Sequence, residues 1–218
     1  MVDLVVEIGT NWKGNYSTLD RMLERCSKAG IKTCKFQALS KSLLERHPEW
    51  DWYQNASINK VNVGFVAGLC KEYKLEFFCT PTYTEAIKWL NPYVKRWKIR
   101  HADKDKEDII EACIRTVKPL YISRDRPHPG PIKSINYLYC IPKYPTEFGE
   151  LNFDMIKLMP GYSNHCLDVT AILKAIRYGA EYVEFHLTDN KDNFAIDNKV
   201  SLTYNQMEEI VHWTMNRE

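Results

Sequence analysis

A chain of 218 residues with 30 basic and 28 acidic side chains, for a net charge of +2, lacks the electrostatic footprint of a nucleic-acid binder. Its length suits one domain of the α/β barrel type, which reaches an adequate core at this size. No apolar stretch is long enough to cross a bilayer, so neither nucleic acid nor membrane is expected as a partner.

The chain enters a β-rich run almost at once, at residues 4–9, with no basic segment and apolar core of a secretory leader ahead of it. Further β-rich runs follow at 33–38, 76–80, 96–100, 120–123, 137–141, 161–164 and 182–187. Between them, apolar residues recur at three- and four-residue spacing, as helices with one buried face require. The sets are Leu19, Met22, Leu23 and Cys26; Phe65, Leu69 and Cys70; Ile109, Ile110, Cys113, Ile114 and Val117; Val169, Ile172, Leu173 and Ile176; and Met207, Ile210 and Val211. Ala29-Gly30 and Tyr178-Gly179 carry helix-stop chemistry. Residues 45–62, rich in Trp, Asn and charge, read as an extended loop over one end of the fold, and residues 124–134, with three prolines and a glycine, stand where a fifth helix should lie.

Strands alternating with helices specify α/β architecture: a single (β/α)8 TIM barrel over residues 1–218, lacking a regular fifth helix. A doubly wound open sheet is disfavoured, because no glycine-rich dinucleotide fingerprint follows the first strand. Seven cysteines, an odd number without CxxC spacing and mostly inside apolar runs, point to reduced thiols and a cytoplasmic location.

Strands of such a barrel are covered on both faces, so charged residues at period two have no solvent face to occupy. Yet Glu7, Lys35 and Gln37, Lys98 and Arg100, Ser163 and His165, and Glu184 and His186 alternate with apolar neighbours. If the apolar parity packs on helices, the polar parity points into the barrel near its C-terminal mouth, where barrels place their chemistry. Buried ions there must pair with one another, with a metal or with a charged ligand. His165 and His186, at the ends of adjacent strands, can hold one divalent metal with coordination positions left open. Lys35, Lys98 and Arg100, with the hydroxyls of Thr80, Ser123 and Ser163, suit a small ligand bearing a phosphate and a carboxylate, and the lack of a Walker loop disfavours ATP. The alternative is a purely structural network of Glu7 and Glu184 with Lys35, Lys98 and Arg100, to which two histidines would add nothing. His47, His128 and His212 are expected in exposed or structural roles, whereas His101 is a candidate to face the phosphate.

The segments Glu7-Ile-Gly-Thr-Asn11 with Gly14, Ala29-Gly30 followed by Lys35-Phe-Gln37, Phe78-Cys-Thr-Pro81 and Lys98-Ile99 recur in order in a known family. So do Tyr144-Pro-Thr146, Gly161-Tyr-Ser-Asn-His165, Gly179-Ala180, Glu184-Phe-His186, and Asp197 followed by Ser201-Leu202. With them the chain resembles the NeuB-like N-acetylneuraminate (sialic acid) synthase family. The resemblance implies a catalytic (β/α)8 barrel, a transferase that condenses phosphoenolpyruvate with an amino-sugar or other aldose aldehyde and releases phosphate. It implies that His165 and His186 bind a divalent metal, Mn2+ or Mg2+, and that Glu7, His186 and Lys98 are catalytic, with Glu7 handling protons or orienting water or substrate. Lys35, Thr80, Lys98, Ser123 and Ser163 match positions that hold phosphoenolpyruvate, and Gln37, Asp103, Tyr144 and Asp197 match positions around the sugar.

Three departures stand out. His101 occupies the place of a serine expected three residues after Lys98, Pro142 that of an asparagine two residues before the Tyr-Pro pair, and Arg124 that of a small residue after Ser123. The resemblance also leads to the expectation of a barrel without the small antifreeze-like (SAF) domain, which in the family supplies an arginine to the sugar site of a partner subunit. Sugar recognition is then rebuilt by residues 45–62 or by a separate SAF polypeptide, or the acceptor differs from N-acetylmannosamine; a homodimer stays open. Two other functions stay open as well: a Schiff-base or metal-dependent barrel aldolase or isomerase, using Lys35 or Lys98 in the Schiff-base case, and a non-catalytic phosphosugar-binding relative.

Overall fold

The computed structural model describes residues 2–46, 50–130, 132, 134–191 and 194–216, with the backbone alone for 50–52. His47 and parts of segments 45–62 and 124–134 lie outside the described residues. Eight strands, β1 (Asp3–Glu7), β2 (Thr33–Ala38), β3 (Glu76–Pro81), β4 (Trp97–Ile99), β5 (Leu120–Arg124), β6 (Ile135–Tyr139), β7 (Gly161–Asn164) and β8 (Tyr182–His186), run parallel in the order β3-β2-β1-β8-β7-β6-β5-β4. β3 and β4 lie side by side at the seam, which closes the (β/α)8 barrel.

The helices are α1 (Tyr16–Ala29), α2 (Lys41–Leu44), α3 (Trp50–Ala56), α4 (Val63–Glu72), α5 (Thr84–Leu90), α6 (Glu107–Ile114), α7 (Val169–Arg177) and α8 (Tyr204–Met215). Local chemistry fixes their ends. The Asn15 side chain accepts from Thr18 N at 3.0 Å to start α1, the Asp168 side chain accepts from Thr170 N to start α7, and Thr203 and Gln206 form a reciprocal capping box on α8. Leu19, Met22, Leu23 and Cys26 make the buried face of α1, as their spacing predicts.

The alternation along the strands separates two environments. Val6, Phe36, Cys79, Trp97, Ile99, Tyr162, Val183 and Phe185 face outward into the core beneath the helices. Inside the barrel, Val5, Phe78, Leu138 and Tyr182 form a compact apolar layer. Gly161 belongs to that layer by necessity: a Cβ there would lie 2.0 Å from Leu138 Cδ2. Register then stacks Glu7 level with Lys35 and His186, and Ser163 level with Glu184, one layer nearer the C-terminal ends.

Several expectations need correction. The segment 45–62 is not simply a loop, since it contains α3. Among the described residues no helix follows β5, and the sixth connection also lacks an α-helix, being built from 3-10 turns at Phe148–Glu150 and Phe153–Lys157. In α4 the core face is Val63, Val66 and Cys70, while Phe65 is exposed and meets the ring of Tyr16 edge-on at 4.9 Å. Val117 lies beyond the end of α6 and is exposed.

Arg96, immediately before β4, closes the N-terminal floor of the barrel. Its guanidinium pairs with Asp3, with Glu76 at 2.9 Å and with Thr33 at 3.0 Å, and lies over the ring of Phe78 at 5.0 Å. Arg96→Met is expected to cost about 2 kcal/mol, because two carboxylates lose their partner at a partly wet site. A thermal midpoint lower by about 4–8 °C checks it.

Candidate functional site

The C-terminal mouth opens into a cavity of about 500 Å³. Glu7, Lys35, Gln37, Thr80, Lys98, Ser123, Tyr144, Ser163, His165, His186 and Asp197 all line it, brought there from seven strands and the segments that follow β6, β7 and β8. Asp103 does not line it. That carboxylate is buried in the 3-10 turn His101–Asp103, where it pairs with Arg100 and with Lys106 at 2.7 Å.

Glu184 is the hub of the cavity floor. One of its oxygens meets Lys98 Nζ at 3.3 Å, Lys35 Nζ at 3.6 Å and Ser163 Oγ at 3.2 Å, and the other accepts from the Tyr182 hydroxyl at 2.9 Å. Burial works against its charge, but Lys35 and Lys98 prevail and hold the carboxyl well below the usual range. Lys35 also pairs with Glu7 and donates to Thr80 Oγ1 at 3.1 Å. Burial pulls Lys35 down to about 8, opposed by Glu184 and assisted by Lys98. The salt-bridged network envisaged as a structural alternative therefore forms in part, with Arg100 turned to Asp103 instead. It does not use up the site. Glu7 Oε1, Ser123 Oγ and His186 Nδ1 are buried and have no hydrogen-bond partner among the described residues.

His165 and His186 face each other inside the barrel, ring centroids 5.6 Å apart. His165 Nδ1 sits 2.9 Å from the Ile141 carbonyl. A neutral ring in that position donates through Nδ1 and keeps the lone pair on Nε2. His186 Nδ1 lies 3.8 Å from Asp197 Oδ2, beyond hydrogen-bond range. Burial, reinforced by His186, pulls His165 down to about 4, and burial with Lys35 pulls His186 to about 3. Both rings are thus neutral, the state that binds metal. No cluster of three or more His, Cys, Asp or Glu donors able to hold an ion occurs among the described residues, and the two facing imidazoles are the donors this mouth offers to a divalent cation.

The rim is made by the strand ends and the segments that follow them. Tyr144 sets its ring 4.1 Å from that of His165. Gln37 Nε2 donates to Asp197 Oδ2 at 3.4 Å, and burial raises the Asp197 carboxyl. Gly9, at φ +52°, passes so close beneath that a Cβ would lie 2.7 Å from Asp197 Oδ2 and 3.2 Å from Glu7 Oε1. Leu39, Leu43, Tyr53, Ile196 and Lys199 complete the outer wall, and the Tyr53 hydroxyl accepts from Ile196 N at 2.9 Å. Apart from Leu39 these residues sit in short helical turns too brief to carry a periodic signal, which is why sequence reasoning missed them. Of the three departures, Pro142 and His101 line the cavity, with His101 Nε2 on Asp125 at 3.0 Å, whereas Arg124 turns away to Asp105.

A parallel (β/α)8 barrel whose C-terminal mouth gathers ammonium groups, unsatisfied hydrogen-bonding atoms and neutral imidazoles belongs to the class of barrels with a polar small-molecule pocket at the strand ends. More narrowly, the chain belongs to the NeuB family, which it matches over residues 21–125 and 129–218. It is similar to N,N'-diacetyllegionaminic acid synthase of Campylobacter jejuni, 23% identical over 237 residues, covering 91% of this chain and 71% of that protein. It is also similar to N-acetylneuraminate-9-phosphate synthase of Drosophila melanogaster, 24% identical over 240 residues, covering 92% of this chain and 64% of that protein. An uncharacterized protein of Methanocaldococcus jannaschii is 22% identical over 231 residues, 96% of this chain and 68% of its own length. The chain spans about two thirds of the length of these relatives. The crystal structure of N-acetylneuraminic acid (sialic acid) synthetase from Leptospira borgpetersenii superposes with a TM-score of 0.85 at 22% identity, over 98% of this chain and 82% of that one, and shares the fold. No helix among the described residues is long and apolar enough to cross a membrane.

Proposed function

We propose that this protein condenses phosphoenolpyruvate with the aldehyde of an amino sugar or related aldose, giving a sugar acid and inorganic phosphate, with Mn2+ or Mg2+ held by His165 and His186. The observation that carries this reading is one cavity joining the buried Lys35 and Lys98 ammonium groups to two neutral imidazoles, with an unsatisfied Glu7 oxygen between partners. Four cationic side chains against three carboxylates leave the lining almost neutral. A phosphorylated acid and a divalent cation are therefore best accepted together, each offsetting the other.

In this reading C3 of the enol bonds to the aldehyde carbon, water adds at C2, and phosphate leaves with cleavage of its carbon–oxygen bond. Lys35, steadied by Thr80, and Lys98, steadied by Glu184, neutralise the carboxylate and phosphate of phosphoenolpyruvate alongside Ser123 and Ser163. Glu7 turns its unpartnered oxygen to the water and carries its proton away. Gln37, Tyr144 and Asp197 orient the sugar at the rim, with Gly9 keeping Asp197 close. Asp103 acts through Arg100 rather than by touching the sugar. A bound divalent cation would supply electrophilic polarisation of the aldehyde oxygen. The names of the C. jejuni and D. melanogaster relatives, both sugar-acid synthases, support the same class of product.

Phosphate release is expected to require phosphoenolpyruvate, an aldose and a divalent cation together, and Glu7→Gln is expected to lower kcat by about 100-fold or more. Unchanged turnover in Glu7→Gln would remove Glu7 from the chemistry. Lys35 at about 8 favours a second reading, a Schiff-base aldolase. Borohydride trapping of a Lys35 adduct would support that reading, and metal dependence would oppose it.

A further inference from the structure

Arg100 follows β4 at the mouth and lines the cavity, yet no position carried over from the family gives it a task. Its Nε is held by Asp103, a buried carboxylate that Lys106 grips from the other side. Asp103 is the only hydrogen-bond partner of this guanidinium among the described residues, which leaves the Nη edge with its donors unspent. Of the lining carboxylates, Glu7 is taken by Lys35 and Glu184 by Lys35 and Lys98, while Asp197 feels the charge of Arg100 but makes no ion pair with it among the described residues.

An independent observation lies one strand away. The β4–β5 register ends at Ile99↔Ile122, and the next residue of each chain segment, Arg100 and Ser123, lines the cavity. Ser123 is 1% exposed, lines the same cavity, and its Oγ has no partner among the described residues. A buried hydroxyl in that state is costly unless a ligand satisfies it. His101 does not fill the gap where the resemblance expects a serine, because its Nε2 is engaged by Asp125.

A guanidinium edge fixed by a buried carboxylate and an unsatisfied hydroxyl lining the same cavity are donors suited to a tetrahedral oxyanion, which can take two parallel bonds from the fork and a third from the hydroxyl. We propose that Arg100 is a further substrate-binding residue, adding its guanidinium to the phosphate contact already expected of Ser123, with Asp103 and Lys106 positioning it. Resting on the condensation reading, the phosphate is that of phosphoenolpyruvate or one carried by the acceptor sugar.

Calorimetry on the intact chain with inorganic phosphate and with phosphoenolpyruvate, in the absence of any acceptor, tests the subsite without turnover. Arg100→Gln is expected to weaken both ligands by at least about tenfold, and Arg100→Lys to recover part of the loss by restoring charge without the fork. Ser123→Ala is expected to weaken them by about threefold to tenfold, and it guards against a folding effect peculiar to position 100. In the turnover assay a rise confined to KM for phosphoenolpyruvate assigns the subsite to that substrate, and a rise confined to KM for a phosphorylated acceptor assigns it to the sugar. Equal phosphate affinity with and without Arg100, or no phosphate binding at millimolar concentration by the unchanged chain, overturns the subsite. Arg100-dependent phosphate binding in a protein that makes no product from phosphoenolpyruvate and any aldose refutes the condensation and leaves the subsite standing.

Discussion

His186→Ala is expected to weaken divalent-cation binding by more than about 100-fold and to bring phosphoenolpyruvate-dependent phosphate release down to background. In the proposed ion site the two facing imidazoles are the protein ligands. Removing the groups that merely orient metal ligands costs about 10–100-fold in affinity, so losing one of two ligands must cost at least the upper end of that range. Burial keeps both rings neutral, and the Ile141 carbonyl fixes the His165 tautomer, so the site is ready for an ion without a proton to displace. Titration with Mn2+, followed through the paramagnetic signal of the free ion, reads the affinity independently of turnover. Asp197→Asn supplies the contrast: its carboxylate is 3.8 Å from His186 Nδ1, so KM for the sugar should rise more than ion affinity falls. A folded His186→Ala protein that binds Mn2+ as tightly as the unchanged chain would undo the proposed ion site.

Much of this site was legible because a closed barrel leaves a strand no solvent face. Once Lys35, Lys98, Ser163, His165, Glu184 and His186 share a parity on covered strands, they can only meet inside, and the cavity gathers all of them. Helix faces were less legible where apolar residues are plentiful. Val63, Phe65, Val66, Leu69 and Cys70 admit two stripes, and packing against β3 selects the one without Phe65. The sixth connection held no readable period because its 3-10 turns bury only scattered side chains such as Phe153 and Ile156. Arg96 was hidden in a short basic run, since nothing local shows that Asp3 and Glu76, from two other strands, converge on it. Glu184 was visible as one of a set of charges, but its place as hub depends on three strands and a tyrosine meeting at one carboxylate. Asp103, carried over as a sugar contact, lies one hydrogen bond behind the surface, a difference of depth that residue type cannot convey.

Glu184→Leu is expected to destabilise the fold by about 3–5 kcal/mol, seen as a thermal midpoint lower by about 10 °C. Lys98 is 2% exposed and has Glu184 as its only carboxylate partner among the described residues, so the substitution strands a buried ammonium. Lys35 fares better because Glu7 remains beside it. The Tyr182 hydroxyl and Ser163 Oγ lose their acceptor as well. Glu184→Gln should fall between the two, since an amide oxygen still accepts from Tyr182 but offers no charge to the lysines. Adding Lys98→Met to Glu184→Leu removes the stranded charge and is expected to recover at least half of the lost stability, because well-packed apolar side chains often replace a buried ion pair without net cost. Neither the single nor the double variant should regain phosphate release, for the single has lost the group that steadies Lys98 and the double has lost the ammonium itself. An unchanged midpoint in Glu184→Leu would mean that water in the cavity, rather than Glu184, solvates Lys98. Recovery of stability without recovery of turnover would instead show that the pair is retained for binding an anion and not for holding the barrel together.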